Sequence, residues 1–246
     1  FGLRTARMLE PYADRPDTRG MLVELALGGH LEAWATAVRR AGLSPSIHAI
    51  GDEAFRLSLD AVEAAERAIR DDRRPAARIE HGQTVHPADL ARLRGRVVSV
   101  QPAHRADDAL VAKRALGEHR LDRFFPLRSM HEAGAVLAFG SDWPVVPPDP
   151  IAAIRSAVTA RTVEGEVFRP AETLSVEAAV VAATTDAAGS LGFDDGGVLA
   201  PGRRADVAVL DRDPFTADWL HDPPRVVATI AGGEIVFDRD GRFDGR

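Results

Sequence analysis

The chain has 246 residues, of which 45% are hydrophobic, and a formal net charge of −6 with acidic and basic residues interspersed. It has no basic stripe of the kind that binds nucleic acid and no apolar run near the ~18 residues of a membrane span, and we expect no signal peptide from its first residues. Because cysteine is absent, any metal must be held by histidine and carboxylate side chains. We expect a globular protein, cytoplasmic by default, whose partners are neither nucleic acids nor membranes.

Residues 1–45 carry few strong signals. Proline and glycine interrupt residues 1–20, and a start at Phe1 without methionine leads us to expect that the natural N-terminus is missing. Residues 21–42 are predicted to form one or two helices. Four of their side chains recur at helical spacing, and we expect this stripe, including Trp34, to face the core: Leu31, Trp34, Ala35 and Val38.

Short apolar runs alternate with helical segments from residue 46 onward. The predicted strands are residues 46–50, 77–81, 97–101 and 136–139, and the predicted helices are residues 53–70, one that opens at His86-Pro87, 130–134 and 151–161. Continuous apolar character suits strands that are buried on both faces. The alternation therefore predicts an α/β fold with a parallel sheet.

Two segments of this region are predicted to be irregular. Residues 71–75 are rich in Asp, Arg and Pro and are expected to form a linker. Residues 105–126 are expected to form a long loop that shapes a substrate pocket or acts as a lid, because long loops on a rigid scaffold commonly carry function.

The C-terminal part changes character. Ser175 is predicted to cap one helix, and a second helix is expected over residues 185–191. From about Gly196 short β-like runs take over, at residues 205–210, 226–230 and 234–237, with a turn at Gly232-Gly233. We therefore divide the chain into a larger unit, residues 1–195, and a β subdomain, residues 196–246.

Three polar residues recur near the ends of the predicted strands. His48 and His81 are 33 residues apart, and His81 and Asp142 are 61 apart. A (β/α)8 barrel spends about 31 residues on each strand–helix unit, and its active site lies at the carboxyl ends of its strands. The spacing therefore predicts that the three side chains meet at one mouth.

Two imidazoles and a carboxylate suit Zn²⁺ or a similar divalent ion. Asp142 could both bind the metal and take a proton from the attacking water. The alternatives are that the histidines are hydrogen-bonded core residues and that Asp142 caps a turn. Asp52 is expected to cap the next helix or to support His48.

Four further residues are candidates for binding substrate, although their types do not identify it. They are Arg78, Gln101, His104 and Trp143. His104 is equally well interpreted as a residue of an exposed loop.

The sequence resembles the amidohydrolase superfamily, specifically its amidohydrolase family 3 branch. The pieces that carry the resemblance are His48-Ala49-Ile50-Gly51-Asp52, Arg78-Ile79-Glu80-His81-Gly82, Ser99-Val100-Gln101-Pro102, Phe139-Gly140-Ser141-Asp142-Trp143-Pro144, and the run from Gly197 to Asp211. The resemblance implies that His48 and His81 are ligands on the fifth and sixth barrel strands, and that Asp142 on the eighth is ligand and base. It implies hydrolysis of C–N bonds in amides other than peptides, with one or two divalent ions, most simply Zn²⁺.

The chain departs from that family in two respects. The family's metal-bridging lysine or acid, near the fourth strand, would fall before Phe1, and Lys113 lies in the wrong place for that role. The His-x-His pair of the first barrel strand does not occur. The resemblance therefore implies the second half of a (β/α)8 barrel with part of a C-terminal β-sandwich, and a missing N-terminal half as its partner. We expect weak metal binding, little turnover in isolation, and self-association through unpaired sheet edges.

Two other readings remain open. One is a non-catalytic half-barrel that serves as a scaffold or interaction module. The other keeps the metal site but uses it for deamination or ester hydrolysis.

Overall fold

A four-stranded parallel sheet lies at the centre of the computed structural model, which describes residues 1–69 and 76–243. Its strands are β1 (Ser46–Ala49), β2 (Arg78–His81), β3 (Val97–Val100) and β4 (Val136–Phe139), and they pair in that order. The predicted α/β class and parallel sheet are therefore confirmed. Because all four strands are parallel, their carboxyl ends lie at one edge of the sheet.

The two faces of the sheet differ in chemistry. One row of the register is buried in the hydrophobic core, and it consists of Ile47, Ile79, Val98 and Leu137. The opposite face carries polar residues. On this face Ser46 pairs with Arg78, His48 pairs with Glu80, and Glu80 pairs in turn with Ser99. Alternation along each strand thus separates an aliphatic face from a polar one.

Glu80 is the centre of a hydrogen-bonded group on the polar face. Its carboxylate accepts a hydrogen bond from Ser46 Oγ and pairs with Arg78. Burial raises the pKa of Glu80, but hydrogen bonds from Ser46, Ser99 and Arg78 outweigh burial, so this pKa lies below its ordinary value. Glu80 is therefore ionised at neutral pH.

Helices precede, connect and follow the strands. In chain order they are α1 (Glu24–Leu27), α2 (Leu31–Arg40), α3 (Asp52–Ala68), α4 (Pro102–Leu116), α5 (Leu127–Glu132), α6 (Pro150–Thr159), α7 (Val176–Ala183) and α8 (Thr185–Ser190), with 3₁₀ helices at Pro87–Leu93, Glu118–Arg123 and Pro170–Glu172. Ser175 caps α7 as predicted, since its side chain accepts a hydrogen bond from the Ala178 N–H. The predicted linker, residues 71–75, and Arg70 of the predicted helix lie outside the described residues.

The prediction of a long loop over residues 105–126 is wrong. α4 and the 3₁₀ helix Glu118–Arg123 occupy most of this segment. Phe124 and Phe125, which follow, are buried with their ring centroids 4.9 Å apart. The segment is packed into the core, so it is neither an exposed loop nor a lid.

Two expectations for individual residues of the N-terminal half are also wrong. Trp34 is 36% exposed, because the buried side of α2 is centred on Ala35 and Arg39. Asp52 does not cap a helix; its buried carboxylate accepts hydrogen bonds from the Leu9 N–H and from Arg123, each at 2.8 Å. Asp52 thus ties the irregular N-terminal segment and the 3₁₀ helix Glu118–Arg123 to the start of α3.

A second, antiparallel sheet follows the helices. It contains β5 (Val207–Leu210), β6 (Val226–Ala231) and β7 (Glu234–Asp238), and Gly232 and Gly233 turn the chain with positive φ, as predicted. Arg155 of α6 donates hydrogen bonds to the carbonyls of Trp219 and Leu220 and so joins this region to the rest. No helix in residues 1–69 and 76–243 is long and apolar enough to cross a bilayer.

Candidate metal centre

His81 ends β2 and turns out of the strand. The register pairs His81 with Ala49, so simple alternation would place its imidazole on the face opposite to that of His48. The backbone of His81 instead has φ of +75°, and the following Gly82 has φ of +54°. This left-handed turn ends the alternation, and the His81 ring lies 4.3 Å, between centroids, from the ring of His48.

Asp142 occupies the equivalent place after β4, two residues beyond Gly140. It also has a left-handed φ, of +57°, and its carbonyl accepts a hydrogen bond from the Val145 N–H in a tight turn. Its side chain is exposed, and no donor among residues 1–69 and 76–243 engages its carboxylate. The carboxylate is therefore free to bind a cation.

His104 enters the same region from the first turn of α4. Pro102 begins this helix, and the His104 N–H bonds to the carbonyl of Gln101. The imidazole is buried, with 8% of the residue exposed, and lies stacked against His81 at 6.3 Å between ring centroids. His104 reaches this position because it lies on α4, where the sequence had also allowed an exposed loop.

His81, His104 and Asp142 together form a candidate metal site. Each offers one ligand atom, and these atoms lie within 4.8 Å of one another. His81 Nδ1 and His104 Nε2 are buried and have no hydrogen-bond partner in the described part of the chain. Ligand atoms around tetrahedral zinc are about 3.3 Å apart, so the cluster is near the size that one ion requires. The donor set fits a divalent ion.

His48 lies beside this cluster. Its ring contacts that of His81, but its side chain is exposed on the open side of β1, where a cavity of about 790 Å³ opens between β1, α3 and residues 21–26. Of the predicted set His48, His81 and Asp142, the structure brings His81 and Asp142 together and places His48 next to His81. His104, predicted only as a substrate or loop residue, joins them.

Burial and neighbouring histidines control the protonation of His81. Burial, with smaller contributions from His48 and His104, lowers the pKa of His81 to about 4, although Asp142 and a hydrogen bond with Gln101 act in the opposite direction. His81 is therefore neutral near pH 7. A neutral imidazole is the form that binds metal.

The other predicted substrate residues lie in different places. Gln101 is buried and hydrogen-bonds with His81, so it is part of the cluster's surroundings. Trp143 follows Asp142 and is 71% exposed at the same edge of the sheet. Arg78 is at the opposite end of β2, about 10 Å from His81 along the strand, where it pairs with Glu80 and donates to the Ser190 carbonyl.

Comparison with known protein families identifies the family of the chain. The model of the amidohydrolase family matches residues 1–237. The chain belongs to this family. The match includes the parallel sheet, every residue of the cluster and all of the antiparallel sheet except Asp238.

Two curated relatives match most of the chain in sequence. The Arabidopsis thaliana protein LONG AFTER FAR-RED 3 is 34% identical over 243 residues, which cover 96% of the chain and 41% of that protein. An N-substituted formamide deformylase of Arthrobacter pascens is 29% identical over 216 residues, which cover 84% of the chain and 39% of that protein. The chain thus spans less than half the length of these relatives.

A solved structure has the same backbone arrangement. The crystal structure of an uncharacterized metal-dependent hydrolase from Pyrococcus horikoshii matches with a TM-score of 0.77 and 31% identity, over 90% of this chain and 44% of that one. This chain therefore shares the fold of part of a larger metal-dependent hydrolase.

Proposed function

We propose that this amidohydrolase is part of a metal-dependent hydrolase that cleaves C–N bonds of amides other than peptides. The observation that carries the proposal is the convergence of His81 and Asp142, 61 residues apart in the sequence, at the carboxyl edge of the parallel sheet. Family membership and the formamide deformylase from Arthrobacter pascens support amide-type substrates.

The residues at this edge have separate roles in the proposed reaction. His48, His81 and Asp142 hold one or two divalent ions, most simply Zn²⁺, because neutral imidazoles and a carboxylate are its usual ligands when thiolates are absent. The bound ion would lower the pKa of a water molecule to about 7 and polarise the substrate carbonyl. Asp142, whose carboxylate is exposed, would take the proton from the attacking water.

The surroundings of the site complete the proposal. Gln101 orients His81 by a hydrogen bond, and Trp143 lines the approach for a small-molecule substrate. Arg78 pairs with Glu80 and donates to the Ser190 carbonyl at the other end of β2, and its role in binding substrate stays a prediction.

The proposed architecture is the second half of a (β/α)8 barrel in residues 1–195, with a β-sandwich segment in residues 196–246. The order of the parallel strands and the coverage of less than half of longer relatives support it. The first half of the barrel would then be the partner of this chain, since β1 and β4 each pair on one side only among the described residues. Without it, the exposed edges favour self-association.

Measuring hydrolysis tests the proposal. The chain is assayed with Zn²⁺ against N-substituted formamides and other small amides, alone and together with the polypeptide that supplies the first half of the barrel. We expect turnover in the completed protein, and a loss of about 10²–10⁴-fold in kcat for Asp142→Asn, which removes a general base.

Two results would contradict the proposal. The first is a completed, fully zinc-loaded protein that hydrolyses none of these amides. The second is a chain that light scattering finds as a defined oligomer, and that binds no metal with or without the first half; that result favours a scaffold instead.

A further inference from the structure

We propose that a cavity behind the loop of Asp142 binds a phenyl-sized apolar substituent of the substrate. The cavity measures about 180 Å³ and lies between the first turns of α4 and α6, the end of α7 and the two ends of the loop formed by residues 140–150. The inference deepens the proposed function and rests on it, because the substituent belongs to an amide whose carbonyl lies at the cluster.

Two polar side chains line the cavity, and both already bond to backbone N–H groups. Ser141 Oγ accepts a hydrogen bond from the Trp143 N–H at 3.2 Å. Asp149 Oδ1 accepts hydrogen bonds from the Ile151 N–H at 2.9 Å and from the Ala152 N–H at 3.2 Å. The other lining residues are apolar, and a lining of this kind favours a hydrocarbon group over a polar one.

The size of the cavity suits one aromatic ring. An apolar protein cavity of about 150 Å³ binds benzene, and this cavity is slightly larger. Pro147, Pro148 and Pro150 form part of its wall, and the proline ring fixes the backbone φ angle. These prolines limit the ways in which the loop can close on itself, so a ligand meets a wall that is largely ordered before it binds.

The cavity adjoins the cluster through neighbouring residues of the chain. Ala103 and Ser141 both line the cavity. Ala103 precedes His104 on α4, and Ser141 precedes Asp142 in the loop. A substrate whose carbonyl lies at the cluster therefore has the cavity beside it.

Gly140 lies between the cavity and the cluster. Among the described residues, only Gln101 Nε2, at 4.0 Å, would lie within 4 Å of a Cβ added to Gly140. Gln101 hydrogen-bonds with His81, so the space beside Gly140 extends toward the cluster. Gly140 is therefore a specificity-determining residue, because its lack of a side chain keeps this space open.

The first experiment measures the binding of benzene to the full chain by ligand-observed NMR. Ala153→Leu and Gly140→Val each add carbon atoms to the cavity, from two different sides, and Ala37→Leu on the exposed side of α2 is the control. We expect benzene to bind to the wild type and to the control, and each cavity variant to lose at least about tenfold in affinity. With two cavity variants, the result does not depend on the folding of either one.

The second experiment uses the chain completed with the polypeptide that supplies the first half of the barrel. It measures kcat/KM for an amide with a phenyl substituent and for the analogue with a methyl substituent, and compares the ratio of the two values. We expect Ala153→Leu and Gly140→Val to lower this ratio by at least about tenfold, and Ala37→Leu to leave the ratio unchanged.

The outcomes separate the inference from the proposed function. If the completed protein hydrolyses both amides but the ratio is the same in the wild type and in both cavity variants, the cavity does not bind substrate, and the proposed function stands. Benzene that binds equally to the wild type and to both cavity variants would also overturn the inference. If the completed, zinc-loaded protein hydrolyses no amide, the proposed function is wrong and the inference falls with it.

Discussion

The side chain of Gln83 donates a hydrogen bond to the carboxylate of Asp108, and this bond joins the loop after β2 to the helix after β3. Gln83 is buried, and Asp108 lies four residues after His104 on the same side of α4. A contact outside the cluster therefore links the two segments that carry His81 and His104.

Replacing Gln83 should weaken both the fold and metal binding. Gln83→Met keeps the length of the side chain but leaves the Asp108 carboxylate without this donor, so we expect a loss of about 1.5–3 kcal/mol in the free energy of unfolding and a weaker Zn²⁺ affinity. Urea denaturation and calorimetry measure the two effects. The exposed neighbour Asp107, changed to Asn, is the control and should alter neither. Unchanged affinity in a destabilised Gln83→Met would show that this bond does not orient the cluster.

Gly82→Ala should be strongly destabilising for a steric reason. Gly82 has φ of +54°, and an added Cβ would lie 2.8 Å from Val98 Cγ1 and 3.2 Å from Phe55 Cε2. Gly95→Ala is the matched control, because Gly95 has φ of +71° but nothing within 4 Å of an added Cβ. We expect Gly95→Ala to lower the free energy of unfolding by about 1 kcal/mol, because of the backbone conformation alone. Gly82→Ala should lower it by at least about 1 kcal/mol more, because of the clash. Equal costs in urea denaturation would rule out the predicted clash.

The low pKa of His81 predicts a loss of stability in mild acid for the metal-free chain. Above pH 6.5 His81 is neutral in both the folded and the unfolded state and contributes nothing. Between pH 6.5 and about 4 the unfolded state takes up the proton but the folded state does not, so stability falls as the pH falls, by up to about 3 kcal/mol.

Urea denaturation at pH 7, 6, 5 and 4.5, with chelator present, measures this dependence. His81→Gln removes the titrating group, so the difference between wild type and variant should shrink or reverse as the pH falls. A difference that does not change with pH would contradict the low pKa.

Breaking the buried ion pair between Asp52 and Arg123 should lower the free energy of unfolding more than breaking the exposed ion pair between Glu10 and Arg123. The Asp52 side chain is fully buried, and that of Arg123 is 12% exposed. Asp52→Asn leaves Arg123 without its buried partner, and we expect a loss of about 3 kcal/mol. Arg123 also pairs with the exposed Glu10, and Glu10→Gln should cost less than about 1 kcal/mol.

A double-mutant cycle measures this coupling. Asp52→Asn combined with Arg123→Gln should destabilise the chain by clearly less than the two single changes added together. Strict additivity would mean that the two side chains do not interact.

The central sheet was predictable because its strands are short apolar runs with clear ends. The run at residues 136–139 stops at Gly140, and the resulting helix–strand order determined the parallel topology correctly. α4 was missed for a physical reason. Leu116, its last residue, is the only large aliphatic side chain among its buried positions, which are otherwise Pro102, His104, Arg105 and three alanines, so its sequence resembles that of a charged loop.

The candidate site was predictable in part. Spacing predicted that His81 and Asp142 would meet, but strand alternation places His81 on the wrong face, and only its left-handed backbone corrects this. Non-glycine residues rarely adopt this conformation, so sequence patterns do not signal it. The contribution of His104 depends on α4 and could not be found before that helix was known.

The polar side of the central sheet restricts what can be built against it. Ser46, Arg78, Glu80 and Ser99 present charge and hydroxyl groups where most sheet interiors are aliphatic. An engineered partner surface made of leucine and valine would remove water from the ionised Glu80 carboxylate without providing hydrogen-bond donors in its place. A surface designed to cover this face must therefore carry hydrogen-bond donors opposite these residues. The same few side chains would then determine both the solubility of the designed surface and its specificity for this sheet.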